Sequence, residues 1–273
     1  MVLQAFFLPA SPGQRFALLH APDGAAQVRG AVVYVHPFAE ELNKSRRMAA
    51  LQARAMAAAG YLVLQIDLLG CGDSSGDFGD ATWEAWLADV ELACAWLLER
   101  NSAPLWLWGQ RTGCLLANEV ANRMTRPVNL LFWQPVVSGK QFLHQFLRLK
   151  VAAQMLGGDN KGAMEGLRQQ LQRGESVEIA GYRLSAALAG GLEKAELLLP
   201  HRSGRVEWLE ISSKTDGSLS PVALARLGQW QAAGHRARGR SVNGPAFWQT
   251  AEINECPALL EASLRLMGES LPT

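Results

Sequence analysis

A dominant charge of one sign, paired cysteines and long apolar runs are all missing from this chain. Lys and Arg total 26 against 25 Asp and Glu, a net charge of +1, so overall balance offers no pull on a polyanion and no nucleic-acid partner is expected. The four cysteines, Cys71, Cys94, Cys114 and Cys256, form no Cys-x-x-Cys pair. That excludes the usual zinc and redox motifs and fits reduced thiols in a cytoplasmic protein. None of the five histidines has metal-ligand spacing, and neither a metal nor another cofactor is expected. No stretch reaches the roughly 18 apolar residues of a membrane span. The apolar residues 1–10 lack the basic n-region and the length of a signal peptide, so export is not expected. What the chain does have is 273 residues at 49% hydrophobic content, enough core for one large domain or for a domain with an insertion.

The apolar residues fall into alternating patterns. Phe6 to Leu8 and Arg15 to His20 flank a Pro- and Gly-bearing turn and predict a hairpin. Ala31 to His36, Tyr61 to Asp67, Leu105 to Trp108, Val128 to Trp133 and Arg205 to Ile211 are short apolar runs of the kind buried on both faces of a parallel sheet. Helical spacing fills the intervals over 45–59, 82–100, 112–124, 221–233 and 257–267, with a further short strand near 238–242. Strands alternating with helices predict a parallel sheet covered on both faces, with ligands at the carboxyl ends of its strands. Between 138 and 200 the rhythm is mostly helical and no buried strand run is expected. The economical account is a helical cap inserted into a core formed by 1–137 and 201–273. The stretch Phe142 to Met155, with His144, Arg148 and Lys150, also has the character of a membrane-surface helix, although a cap helix needs an apolar face too.

The central stretch is Leu105-Trp-Leu-Trp-Gly-Gln-Arg-Thr-Gly-Cys-Leu-Leu116. A strand that ends in Gly-x-x-x-Gly and turns directly into a helix has the outline of a nucleophile elbow. The middle residue of that motif is Ser; here it is Arg111, a permanent cation and no nucleophile.

The order of elements resembles the α/β-hydrolase fold, with a mostly parallel eight-stranded sheet, helices on both faces and a helical cap. His36-Pro-Phe38 sits where that family carries His-Gly ahead of its oxyanion loop. Asp67-x-x-Gly70-x-Gly72-x-Ser74-x-Gly76 matches its Asp-x-x-Gly-x-Gly-x-Ser signature. The chain further resembles the exosortase A system-associated hydrolase type 2 family. The residues that carry this likeness are Pro37-Phe-Ala-Glu-Glu-x-Asn-Lys-Ser-Arg-Arg47, Trp108-Gly-x-Arg-x-Gly113 and Pro245-x-Phe-Trp-Gln-Thr-x-Glu252. The resemblance implies a hydrolase-like fold and a genomic setting of exopolysaccharide production and protein sorting.

Serine hydrolysis needs a hydroxyl, an imidazole and a carboxylate in fixed roles. Arg111 stands at the first position. The loop after the last strand, Asn243-Gly-Pro-Ala-Phe-Trp248, contains no His, and the acid position offers only Asp216 in a Ser- and Gly-rich turn. A displaced set would draw on Ser74, Ser75, Cys71 or Cys114 with His36 as base; the alternative is that His36 bonds backbone in the oxyanion loop and that Cys114 is core. For Trp83 and Trp86 a core role is expected. The expected pocket therefore contains Arg111 with Gln110 and Thr112 beside it. Glu40 and Glu41 are its acidic neighbours, Lys44 and Arg47 further cations, and Phe38, Phe247 and Trp248 the walls. Two readings stand side by side. Arg111 either pairs with Glu40 or Glu41 and locks two loops, or clamps a carboxylate or phosphate of a small anionic, acyl or sugar-containing ligand. The function expected is that of a binding or accessory protein without the serine triad. An ester or acyl hydrolase with an atypical constellation and a scaffold for a partner enzyme are the alternatives, and the oligomeric state is not set by the sequence.

Overall fold

The computed structural model describes residues 1–24, 27–155, 162–198, 203–212 and 217–269. An antiparallel hairpin, β1 (Val2–Pro9) and β2 (Gln14–Ala21), opens the chain. Then β3 (Gly30–Val35), α1 (Glu40–Ala58), β4 (Tyr61–Ile66), α2 (Trp83–Arg100), β5 (Leu105–Gln110), α3 (Gly113–Arg123) and β6 (Val128–Trp133) alternate as strand and helix. A longer segment follows, with α4 (Gly139–Met155), α5 (Ala163–Gln172), a two-stranded hairpin of β7 (Val177–Ile179) and β8 (Tyr182–Leu184), and α6 (Ala186–Lys194). The main sheet resumes with β9 (Ser203–Ser212), α7 (Pro221–Ala232), β10 (Arg236–Asn243) and α8 (Pro257–Gly268). Its eight strands run in the order β1-β2-β4-β3-β5-β6-β9-β10, parallel from β4 to β10.

The continuous apolar runs of β3, β5 and β6 are explained by burial on both faces. Ala31, Val33, Leu105 and Leu107 enter one core with α2, α3 and α7. Val32, Tyr34, Trp106 and Trp108 enter a second with α1 and α8. Successive side chains alternate between these two cores, as the strand period of two requires.

Two expectations need correction. Residues 177–184 form a strand hairpin instead of helix or loop, turned by Ala180 and Gly181, both at positive φ. Two successive left-handed residues match the twist of flanking strands in a two-residue hairpin. The helix that follows, α6, begins after Ser185, whose side chain accepts the Leu188 N–H as a cap. Further, α1 begins at Glu40, five residues before the expected Ser45, with Glu40 and Glu41 in its first turn, where carboxylates favour the helix dipole. Residue His201 and the acid-position turn at 213–216, with Asp216, lie outside the described residues.

One buried ion pair ties the first hairpin to the parallel sheet. Arg15, fully buried in β2, donates from Nε to Asp89 Oδ1 of α2 at 2.7 Å, and its Nη1 donates to Pro12 O at 2.8 Å. Asp89 Oδ2 accepts the Leu69 N–H at 2.7 Å, which holds the glycine-rich loop after β4. Burial raises the Asp89 pKa, opposed by the Leu69 hydrogen bond and by Arg15. Removing one partner strands the other charge without water. Asp89→Ala is therefore expected to cost about 3–5 kcal/mol in urea unfolding, whereas Arg15→Met combined with Asp89→Leu should lose much less; equal losses would show that the pair carries no special weight.

Candidate functional site

The carboxyl edge of the sheet centre is built on three left-handed non-glycine residues, one after each of three adjacent strands. These are Ala39 (φ 50°) beyond β3, Arg111 (φ 54°) beyond β5 and Gln134 (φ 45°) beyond β6. Side chains rarely tolerate such backbone, and clusters of it mark sites where neighbouring structure over-determines the geometry. The elbow shows how. A Cβ on Gly113 would lie 2.2 Å from Val35 O, and one on Gly109 would lie 2.6 Å from Cys114 Cα. Both glycines are thus required by the close approach of α3 to β3 and β5. The Arg111 N–H donates to Trp133 O at 2.9 Å, and Arg111 O accepts from Val136 and Cys114.

This backbone raises the Arg111 side chain above the sheet edge, where it meets α1. Nη2 donates to Glu41 Oε1 at 3.1 Å and Nε to the same oxygen at 3.2 Å, while Nη1 reaches Gln134 O at 3.4 Å. The guanidinium carbon sits 5.4 Å from the Trp248 ring centre, within range for a cation–π contact. Arg111 and Glu41 are 14% and 17% exposed. Desolvation raises the Glu41 pKa, and the charge and hydrogen bonds of Arg111 oppose it. Glu40 takes no part in this pair. One residue earlier on the helix, it turns to the β7–β8 hairpin and accepts from Tyr182 Oη at 3.0 Å and Asn43 Nδ2 at 3.2 Å.

His36 is committed elsewhere. Its Nδ1 donates to Pro37 O at 2.8 Å and its Nε2 accepts the Leu68 N–H at 3.3 Å. Both ring nitrogens are used by backbone in the neutral tautomer, and a general base needs one free. Burial lowers the His36 pKa, partly offset by Asp67. The other members of a displaced catalytic set are similarly engaged. Ser74 Oγ donates to Asp67 O and accepts the Phe16 N–H, and Ser75 Oγ accepts the Gln14 N–H, so both serines stitch the glycine-rich loop to the first hairpin. Cys71 and Cys114 are buried, and burial pushes both thiols far above the range of a reactive thiolate.

The remaining predicted residues divide. Trp248 joins Arg111, with Phe247 packed beneath it on Trp133. Gln110 is buried between the sheet and α1, accepting from Tyr34 Oη and donating to Ser45 Oγ, each at 2.8 Å. Thr112 is buried and its hydroxyl has no partner among the described residues. Lys44 is half-buried with no ion pair among the described residues, and Arg47 pairs with Glu255. Phe38 is 1% exposed, its ring packed edge-on against Phe78, Trp86, Phe142 and Phe146 at 5.1–5.7 Å, so it fills the space below α4. Trp83 and Trp86 are core, as expected, donating to Glu119 Oε2 and Leu69 O. Sequence reasoning missed Gln134 and Tyr182. Gln134 carries no motif signal, and the reach of Tyr182 to Glu40 depends on an unexpected hairpin. Among the described residues no cluster of His, Cys, Asp and Glu could hold a metal, and no helix is long and apolar enough to cross a membrane.

The Arg111–Glu41 pair generates a signed expectation. Arg111→Ala should destabilise by about 3 kcal/mol near neutral pH, because Glu41 is left as an unpaired, largely buried carboxylate. The loss should shrink on acidification, once Glu41 is protonated and needs no counter-ion. Urea melts across that range test it; a pH-independent loss would remove Glu41 as the partner. For His36 the sign is opposite. Its folded pKa lies below the ordinary 6.5, so stability present above 6.5 should be lost as pH falls toward the folded value. His36→Gln should flatten this part of the profile, with buried His20, also lowered, supplying the residual slope.

A family model described as serine aminopeptidase, S33, matches residues 26–158. No curated protein matches in sequence. Similar solved structures include Est1E from Butyrivibrio proteoclasticus with bound ferulic acid, 14% identical with a TM-score of 0.70 over 96% of this chain and 98% of that one. XC6422 from Xanthomonas campestris, an α/β serine hydrolase without lid, is 13% identical with a TM-score of 0.61 over 99% and 97%. The proline iminopeptidase of Mycobacterium smegmatis is 14% identical with a TM-score of 0.60 over 97% and 98%. Sheet order, elbow and these likenesses agree: the chain is a protein of the α/β-hydrolase fold.

Proposed function

We propose that this protein works as a binding or accessory protein and not as a serine hydrolase. The observation that carries the reading is Arg111 at the elbow, held by Glu41, the Gln134 carbonyl and the Trp248 face. An elbow delivers catalysis by presenting a nucleophile beside a free imidazole. Here it presents a guanidinium already neutralised by a carboxylate, and His36 has no ring nitrogen to spare. The retained left-handed turn then serves to place a cation, and the ion pair locks α1 to the elbow. A small anion competing for Arg111 would have to displace Glu41, which makes internal pairing the better-supported state of this residue.

The residues resembling the exosortase A system-associated family, among them Arg47, Arg111 and Trp248, extend the proposal to an accessory role in exopolysaccharide production or protein sorting. A second reading, ester hydrolysis through an atypical constellation, draws on the fold likeness to Est1E, whose structure holds bound ferulic acid.

Purified protein is expected to hydrolyse p-nitrophenyl esters of short acids at the buffer rate and to escape labelling by a fluorophosphonate. Hydrolysis above buffer that Arg111→Ala or His36→Ala abolishes in a still-folded protein would overturn the proposal in favour of the second reading.

A further inference from the structure

A second recess lies away from the elbow, wholly inside the segment between β6 and β9. It is a cavity of about 180 Å³, open to solvent, between α4, α5 and α6. Its floor is aliphatic, with Leu143 and Leu147 from α4 and Leu171 from α5. Lys140, His144 and Arg168 stand in its wall, opposed by Glu193 of α6. Neither Lys140 nor Arg168 has an ion-pair or hydrogen-bond partner among the described residues. The buried arginines Arg15 and Arg111 are each matched to a carboxylate. Two unmatched cations over an apolar floor form a different kind of surface.

Gly190 supplies the second observation. It lies inside helix α6, where glycine weakens the helix, yet a Cβ built on it meets nothing within 4 Å. The next residue is the reverse case, since a Cβ on Gly191 would meet Trp83 Cβ at 2.1 Å. Gly191 is required by helix packing, whereas packing places no demand on Gly190, and any side chain there would grow into the recess that it lines.

We infer that this cavity is a binding site for a small amphipathic organic anion, a phosphate monoester or carboxylate on a short apolar body. Lys140 and Arg168 meet the anionic group, and Leu143, Leu147 and Leu171 take the apolar body. Ala186, in the first turn of α6, borders the same space, so the positive end of that helix adds to the field. Glu193 disfavours ligands of higher negative charge. No elbow residue lines the cavity, so the site stands whether or not the elbow has chemistry of its own.

The test uses the full chain with butyl phosphate, hexanoate and inorganic phosphate at about 1 mM, a concentration suited to weak small-ligand sites, read by melting temperature and calorimetry. Butyl phosphate or hexanoate should bind, and inorganic phosphate should bind more weakly for want of an apolar body. Lys140→Gln and Arg168→Gln should each weaken binding about tenfold, the loss of one charge-assisted contact. Glu193→Gln should tighten it, a gain that no purely structural role would produce. Gly190→Leu should abolish binding while leaving the unliganded melting temperature unchanged or higher, and Arg111→Ala should bind as the wild type does. Failure of both organic anions to bind, unchanged binding by Gly190→Leu, or loss of binding in Arg111→Ala would each overturn the assignment.

Discussion

The constraint on which the centre of this molecule depends is the approach of α3 to the backbone of β3. Gly113 lies so close to Val35 O that no side chain fits, and a Cβ on Gly109 would overlap Cys114. With both glycines in place the turn between them closes, and the residue at its apex must take a left-handed conformation. That requirement concerns main chain only. The apex side chain projects away from the packed glycines, so the same turn accepts serine or arginine without change to the sheet beneath it. Backbone strain and side-chain chemistry are separable here, and the chain keeps the first while changing the second.

Charge is then handled by arginine forks that join segments far apart in sequence. Arg111 and Glu41 connect the elbow to α1, and Arg15 and Asp89 connect the first hairpin to α2 and the glycine-rich loop. Arg238 donates to the buried Glu207 of β9 and also to Leu266 O at the end of α8. In each case burial raises the carboxylate's pKa and the guanidinium opposes the shift. Such pairs contribute little net stability compared with apolar packing of the same shape, but breaking one is costly, so they fix which segments meet. Lys140 and Arg168 in the α4–α6 recess have no such carboxylate partner among the described residues.

The space under α4 is filled by Phe38, Phe78, Trp86, Phe142 and Phe146, with Phe38 in edge contact with each of the other four. His36 lies beside this cluster, near Trp86, and stays neutral through two backbone hydrogen bonds. Burial around this cluster favours the neutral imidazole, because it penalises the charged ring.

The sequence by itself determined the sheet and the elbow. Short apolar runs between helical intervals are legible because burial on both faces leaves no polar alternation, and the Gly109 and Gly113 spacing is legible because only glycine survives those contacts. Arg111 could be seen to need a counter-charge. Which carboxylate supplies it was decided by the tertiary structure. Adjacent helical residues point about 100° apart, so the early start of α1 at Glu40 sends Glu41 to Arg111 and Glu40 to Tyr182. The same holds for Gln110, whose place in β5 turns it under α1, away from the elbow beside which it stands in sequence. Local periodicity says that a side chain belongs to an element; only the start of that element and its docking say where the side chain points.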